Sequence, residues 1–219
     1  STAAPAGAAM CGSGYSTAVT TATEEFQKSI LTFTPASWAT GGSVNTARYG
    51  LTGSGTQTAG LAIGGHTGPA AQSITESYNG STWTETGDLN TAREALAGEG
   101  TSTATLVHGG NPATGASESF DGSSWTEVAD LNTNRGGHAA AGTTTAQLAI
   151  SGGSTHPAET VNVESFDGSS WTEIANVNAA RGYTRGGGTS TDAIVVTGDS
   201  SPGVSAAVET WDGSSWTEV

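Results

Sequence analysis

Five of the six tryptophans divide the chain into units of nearly constant length. Trp38, Trp83, Trp125, Trp171 and Trp216 follow one another at spacings of 45, 42, 46 and 45 residues. Each of the first four precedes an arginine by ten residues: Arg48, Arg93, Arg135 and Arg181. Each of the last four follows a glutamate by seven: Glu76, Glu118, Glu164 and Glu209. A period in the forties indicates a repeat protein, whose units bury their apolar faces only against one another.

One unit, at 90–128, illustrates the local pattern. Small and alternating apolar residues, bounded by glycines, predict short strands rather than helices. The predicted elements are a strand at 94–97, a turn at 98–101 and strands at 104–108, 117–120 and 124–128. The dipeptide Asp121-Gly122 favours a tight hairpin before the last strand. Four short antiparallel strands in a unit of this length are typical of one β-propeller blade.

Other fixed positions recur in the remaining units. A double glycine ends the second strand, at Gly64-Gly65, Gly109-Gly110 and Gly152-Gly153, with Gly198-Asp199 in the last unit. The third strand carries one aromatic residue, which we expect to fill the space between blades with the tryptophan: Tyr78, Phe120, Phe166 and Trp211. We predict one all-β domain, 1–219, with about five blades. They are an incomplete first blade at 1–40 and complete blades at 41–86, 87–128, 129–174 and 175–219.

The double glycine, the aromatic residue, the tryptophan and the Asn-x-x-Arg that opens the next unit resemble the kelch repeat over nearly the whole chain. Three strings, at 55–65, 76–85 and 88–93, are also similar to long Gly/Thr-rich kelch-like proteins of marine bacteriophages, notably those of cyanobacteria. Those proteins are described as virion structural or tail-fibre proteins. The resemblance implies a propeller fold and a role on a phage particle.

Charge and composition restrict the partners. The net charge is −14, with 6 basic residues against 20 acidic ones. So acidic a chain repels phosphate backbones, which argues against nucleic acid as a partner. No apolar run approaches the length of a membrane span, so we expect no membrane insertion. The single cysteine, Cys11, has no companion for a disulfide or a metal site. We therefore expect no metal and no cofactor.

The units differ most in the loop that follows the double glycine. These loops are 66–72, 111–116, 154–162 and 199–206, and each contains one proline. Variable loops on a repeated frame are a usual place for recognition. We therefore take four loop residues as candidate contacts with a host-surface glycan: His66, Asn111, His156 and Asp199. Neutral variation at exposed turns is the alternative explanation.

The sequence favours a non-enzymatic structural or adhesive virion protein that belongs to a larger assembly. A secreted or cell-surface bacterial binding module is the alternative. A galactose-oxidase-like copper enzyme is less favoured, because it needs two histidines, tyrosines and a cysteine cross-linked to one tyrosine. The stretches 119–125 and 165–171 resemble the aspartate box of sialidases but are one residue short. The arginine in each unit either contributes to a cationic ring for an anionic ligand or pairs with a repeat glutamate or with backbone carbonyls of the next blade, and we expect pairing.

Overall fold

The computed structural model describes residues 41–153, 158–200 and 202–219, which form sixteen strands in four sheets. The first sheet contains β1 to β4: Thr52–Thr56, Ala59–Ile63, Thr75–Tyr78 and Trp83–Glu85. The second contains β5 to β8: Ala97–Thr101, Ala104–His108, Ser117–Phe120 and Trp125–Val128. The third contains β9 to β12: Ala139–Thr143, Ala146–Ile150, Val163–Phe166 and Trp171–Ile174. The fourth contains β13 to β16: Arg185–Gly188, Ala193–Ser200, Gly203–Trp211 and Trp216–Glu218.

The four sheets are arranged as a β-propeller, and the strands of each blade follow one another as an antiparallel meander. The innermost strands β1, β5, β9 and β13 are neighbours in that order. The all-β propeller prediction is therefore confirmed. The described residues contain four blades against the five or so predicted for the chain, and the segment predicted as the incomplete first blade, 1–40, lies outside them. The described part has no helix of the length and hydrophobicity of a membrane span.

Apolar side chains fill the spaces between successive blades, as the repeat pattern predicts. Phe120 and Trp125 lie side by side on β7 and β8, with ring centroids 4.9 Å apart. Both are buried against Leu61 and Ile63 of the preceding blade. The Trp125 indole nitrogen also donates a hydrogen bond to Thr75 Oγ1 of that blade at 3.1 Å. Each blade therefore closes the core of its neighbour, which is why one unit alone has no complete core.

The innermost strand lies further along the chain than predicted. β5 is Ala97–Thr101 instead of 94–97, so the residues predicted as a turn, 98–101, belong to the strand. Gly98 pairs with Val107, and a Cβ on Gly98 would lie 2.4 Å from the Leu106 carbonyl oxygen. The glycines of this segment therefore mark close approach to the next strand rather than chain reversal.

The Asp-Gly turn is longer than the predicted tight hairpin. Phe120 pairs with Trp125, so the loop has the four residues 121–124. Gly122 has the expected positive φ, 101°. The Asp121 carboxylate accepts hydrogen bonds from the backbone nitrogens of Ser123 and Ser124 at 2.8 and 2.9 Å. The aspartate thus caps its own turn.

The double-glycine register in the last two blades was predicted one residue too late. Ala62, Val107, Ala149 and Val195 each pair with the repeat glutamate, so the residues two and three further on are equivalent. Those residues are Gly64-Gly65, Gly109-Gly110, Ser151-Gly152 and Thr197-Gly198, and all eight have positive φ. Ser151 and Thr197 therefore occupy a left-handed position that glycine fills in the other two blades. Asp199 is the equivalent of His66 and Asn111.

Candidate functional site

The repeat arginines are held inside the blades. Arg93 Nη2 donates to Glu118 Oε1 at 2.6 Å, and Nη1 donates to the Gly109 carbonyl oxygen at 3.1 Å. Glu118 also accepts from the backbone and side-chain nitrogens of Asn90, both at 2.8 Å. Equivalent buried pairs are Arg48–Glu76, Arg135–Glu164 and Arg181–Glu209. The predicted pairing is confirmed, and these four guanidinium groups form no cationic ring for a ligand.

Four equivalent residues form what we call the rim: His66, Asn111, Gly153 and Asp199. Each forms an isolated antiparallel bridge with the residue that follows a repeat arginine. In the second blade, the Asn111 backbone nitrogen donates to the Glu94 carbonyl oxygen at 2.7 Å, and the reciprocal distance is 3.2 Å. Three of the four predicted contact residues therefore occupy one structural position. The fourth rim residue is Gly153, whereas the predicted His156 lies outside the described residues.

A second set of equivalent residues joins the blades next to the rim. Gly50, Ala95, Gly137 and Tyr183 all have left-handed φ, between 48° and 63°. The Ala95 nitrogen donates to the Gly50 carbonyl oxygen at 2.7 Å, and the Gly137 nitrogen to that of Ala95 at 2.8 Å. The Thr184 nitrogen donates to the Gly137 carbonyl oxygen at 3.2 Å. Backbone hydrogen bonds therefore join the blades to one another at this end of the propeller.

The rim side chains differ in chemistry. His66 Nδ1 accepts from the Gly68 backbone nitrogen at 2.9 Å and lies 3.0 Å from the Tyr49 hydroxyl. Because Nδ1 is an acceptor, the proton of the neutral ring is on Nε2. Asn111 and Asp199 are half-buried. The rim therefore offers an imidazole donor, an amide and a carboxylate, beside the exposed phenols of Tyr49 and Tyr183.

Two histidines that the sequence analysis did not associate lie together between the second and third blades. His108 Nδ1 is 2.8 Å from His138 Nε2, and His108 Nε2 is 2.8 Å from Gln147 Oε1. Burial, together with the charges of Arg135 and Arg93, lowers the pKa of His108 to about 3, although the hydrogen bond with Gln147 acts in the opposite direction. Burial likewise holds the pKa of His138 well below its usual value. Both rings are therefore neutral at neutral pH.

A signal for this pair was present in the sequence. His108 occupies the position of Ile63 and Ile150 in the neighbouring blades, at the end of the second strand. His138 follows its repeat arginine by three residues, where the first two blades have Leu51 and Leu96. These two positions face each other in successive blades. A polar residue at both, where other blades have apolar residues, indicates a buried polar contact. Recognising it requires the packing order of the blades.

The innermost strands of the four described blades line a cavity of about 490 Å³. It is lined by residues of all four described blades, including Glu99, His138 and Arg185, and by Tyr49, Asn111 and Tyr183 near the rim. Volumes of ~300–1,000 Å³ are typical of small-molecule sites. The rim and the cavity are thus adjoining parts of one end of the propeller.

No metal centre is found in the part of the chain that the structure describes. Residues 41–153, 158–200 and 202–219 contain no group of three or more His, Cys, Asp or Glu side chains placed to hold a metal ion. Two of the histidines hydrogen-bond to each other, and His66 contacts Tyr49. Cys11 and Tyr15, which a copper site of the galactose-oxidase type would need, lie outside the described residues.

Fold and site together define a β-propeller of four-stranded antiparallel blades with a variable rim around a central cavity. No protein-family model matches the sequence, and no curated protein matches it. The assignment to the propeller class therefore rests on the structure, and the function is argued from the rim and the cavity.

Proposed function

We propose that this protein is a non-enzymatic structural and adhesive component of a bacteriophage particle. It is a kelch-like propeller in a fibre, a tail or a head decoration, and it binds host-surface glycan through the rim. Its partners are other virion proteins and the host glycan. The observation that carries the proposal is that the most variable positions of the repeat, His66, Asn111 and Asp199, are structurally equivalent and lie at one end of a repeated frame.

The contrast between frame and rim supports recognition over a purely architectural role. The buried Arg–Glu pairs repeat in every described blade, and the last three blades each have an inter-blade tryptophan: Trp125, Trp171 and Trp216. The rim residues do not repeat, although backbone bridges hold all four in the same way. Because the frame fixes the rim backbone, little conformational entropy is lost there when a ligand binds.

The chemistry of the rim suits a polyhydroxylated surface. His66, Asn111 and Asp199 provide hydrogen-bond donors and acceptors, while Tyr49 and Tyr183 are 59% and 54% exposed and present flat rings. Each contact is weak in water, so useful affinity requires many copies. Display of many propellers on one particle supplies that multivalency. The resemblance of the strings at 55–65, 76–85 and 88–93 to marine-phage proteins supports placement on a phage particle, and a secreted or cell-surface bacterial module is the alternative.

Immunogold electron microscopy tests the location. The segment 68–70 of the first variable loop is exposed and suits an antibody raised against the peptide 66–72. We expect gold on phage particles from the source material, and its position distinguishes head decoration from a tail adhesin. Labelling of cell envelopes without labelling of particles would replace the virion with the bacterial module. Antibody pre-absorbed with the peptide serves as the control.

A cell-binding assay tests the rim itself. His66→Gly and Asp199→Gly copy Gly153, so the frame has already accommodated glycine at this position. With particles or multimerised protein on host cells, we expect the double variant to lose binding by about tenfold or more. Glu173→Gln on β12, an exposed residue away from the rim, is the matched control. Equal binding by the double variant and this control would exclude the rim as the contact surface.

A further inference from the structure

The first blade differs from the other three in the turn between its third and fourth strands. Asn79-Gly80 begins this turn, and Asn79-Gly80 is the only asparagine–glycine pair in the sequence. The equivalent pairs of the other blades are Asp121-Gly122, Asp167-Gly168 and Asp212-Gly213. Asparagine is a thermolabile residue, because the backbone nitrogen of the next residue attacks its side-chain amide. A following glycine has no Cβ to hinder that attack.

The side-chain carbonyl oxygen of Asn79 is surrounded by donors. Oδ1 accepts from the Ser81 backbone nitrogen, the Ser81 hydroxyl and the Thr82 backbone nitrogen, each at 3.0 Å. In the second blade, hydrogen bonds of the same kind, above all that from the Ser124 backbone nitrogen, lower the pKa of Asp121 to about 2. This set of donors therefore stabilises negative charge on the side-chain oxygen. The same charge develops there when a nucleophile attacks the amide carbon.

The attacking and the leaving nitrogen are both unengaged. Neither the Gly80 backbone nitrogen nor Asn79 Nδ2 donates a hydrogen bond to any residue of the described chain. Asn79, Gly80 and Ser81 are all exposed, so water reaches the turn. The nucleophile, the leaving group and the water that the reaction consumes are therefore all available, and no hydrogen bond of either nitrogen has to be broken first.

We propose that Asn79 is a site of spontaneous deamidation, in which the Gly80 nitrogen closes a succinimide ring with the help of the donors on Asn79 Oδ1. The new bond joins the Gly80 nitrogen to Asn79 Cγ. The Cγ–Nδ2 bond breaks, and the Nδ2 group leaves as ammonia with the proton that the Gly80 nitrogen loses. Water then opens the ring at one of its two carbonyl carbons, which gives aspartate or isoaspartate. Nothing is oxidised or reduced, and the chain gains one negative charge at neutral pH.

The aspartate product copies the residue that the other three blades have at this position. Its carboxylate would accept from the same donors, so the pairing of Tyr78 with Trp83 is kept. The turn lies at the end of the blade opposite the variable loop 66–72, because β3 runs from that loop to the turn. The modification therefore goes beyond the proposed function and requires neither the rim nor a ligand.

Peptide mapping by mass spectrometry tests the site on the unmodified protein. The folded protein is incubated in oxygen-18 water at mildly alkaline pH, below its melting temperature, and then digested in ordinary water. The isotope marks deamidation that took place during the incubation rather than the digestion. We expect Asn79 to lose its amide about tenfold or more faster than any other asparagine of the chain. Isoaspartate, which only the opening of a ring forms, is the expected second product.

Two matched serine variants test the role of the donors. Ser81→Ala removes the hydroxyl that donates to Asn79 Oδ1, and Ser123→Ala removes the equivalent hydroxyl beside Asp121. We expect Ser81→Ala to slow deamidation of Asn79 about threefold or more and Ser123→Ala to leave its rate unchanged. Asn79→Asp is the reference for the added charge, and isoelectric focusing should show the aged wild type moving to the position of this variant.

Three results would overturn the proposal or a part of it. Retention of the Asn79 amide while other asparagines lose theirs excludes the site. Aspartate as the sole product excludes the ring, because direct hydrolysis by water forms no isoaspartate. Equal rates in Ser81→Ala and Ser123→Ala exclude the help assigned to the donors. The first two results come from the wild-type protein and do not depend on the folding of a variant.

Discussion

Ser151 and Arg181 are joined across the boundary between the third and fourth blades. The Arg181 backbone nitrogen donates to Ser151 Oγ at 3.2 Å, and Oγ lies 2.7 Å from the Arg181 carbonyl oxygen. Ser151 has a φ of 61°, the same value as Gly109 at the equivalent position. Ser151 thus forms these hydrogen bonds while its backbone is in a left-handed conformation that glycine adopts more readily.

Substitution of Ser151 separates these two effects. Ser151→Ala keeps the left-handed strain and removes the hydrogen bonds, so we expect a loss of about 1–3 kcal/mol in the free energy of unfolding. Ser151→Gly removes the same bonds but relieves strain on the order of 1 kcal/mol. The expected order of stability is wild type, then Ser151→Gly, then Ser151→Ala, measured by urea denaturation. An alanine variant as stable as the glycine variant would contradict this account.

Breaking one buried ion pair should destabilise the propeller more than any surface change. Glu164→Gln leaves the Arg135 guanidinium buried beside a neutral amide, and both side chains are 0–1% exposed in the native protein. Removal of one partner of such a pair typically costs about 3–5 kcal/mol. We expect a clear fall in the melting temperature by calorimetry. Glu173→Gln, on the exposed outer strand of the same blade, should differ little from wild type.

The free energy of unfolding should fall on acidification, because the buried histidines bind protons more readily in the unfolded chain than in the folded one. His108 has a folded pKa of about 3 against 6.5 in the unfolded chain, so the unfolded state binds more protons below about pH 6.5. The stabilising contribution of the neutral ring is complete above that pH. It is lost progressively as the pH falls toward 3. His138, whose pKa is also lowered, acts in the same direction.

The double variant His108→Ile/His138→Leu tests this origin. It copies Ile63 and Leu51 of the first blade and removes both titrating groups. We expect the urea midpoint of the wild type to drop between pH 6.5 and 4 more steeply than that of the variant. If the urea midpoints of wild type and variant fall in parallel with pH, the pH dependence arises from the carboxylates and not from the histidines.

The aspartate turns predict a matched pair of substitutions. Asp167 accepts from the backbone nitrogens of Ser169 and Ser170, both at 2.8 Å, and Asn79 caps the equivalent turn of the first blade. The hydrogen bonds lower the pKa of Asp167 to about 2. Asp167→Asn should therefore keep the melting temperature at neutral pH, and Asp167→Ala should lower it. A carboxyl titration by NMR near the usual aspartate pKa would show that the cap is not formed in solution.

The repeat offsets were sufficient to predict the fold and the frame. Fixed spacings of Trp125, Glu118 and Arg93 from one another reflect contacts that every blade must make, so the sequence repeats wherever the structure does. The buried Arg–Glu pairing followed from the same reasoning. Such contacts are predictable because a single physical requirement is imposed on each unit.

Contacts made once were not predictable in this way. His108 and His138 are 30 residues apart, and their association depends on how two blades pack. The double-glycine register failed because Ser151 and Thr197 adopt a conformation that their residue types do not announce. Glu99 was not singled out, since an acidic residue in an acidic chain gives no signal until its surroundings are known.

Next to the rim, main-chain hydrogen bonds between Gly50, Ala95 and Gly137 join the first three blades, and none of these bonds uses the side chain of a rim residue. Residues 66, 111, 153 and 199 could therefore change independently during evolution without any change in the hydrogen bonds that join the blades. For protein engineering, the same property makes these four positions suitable for independent randomisation. Libraries that randomise only those four codons would vary the chemistry of the rim while the blades stay the same.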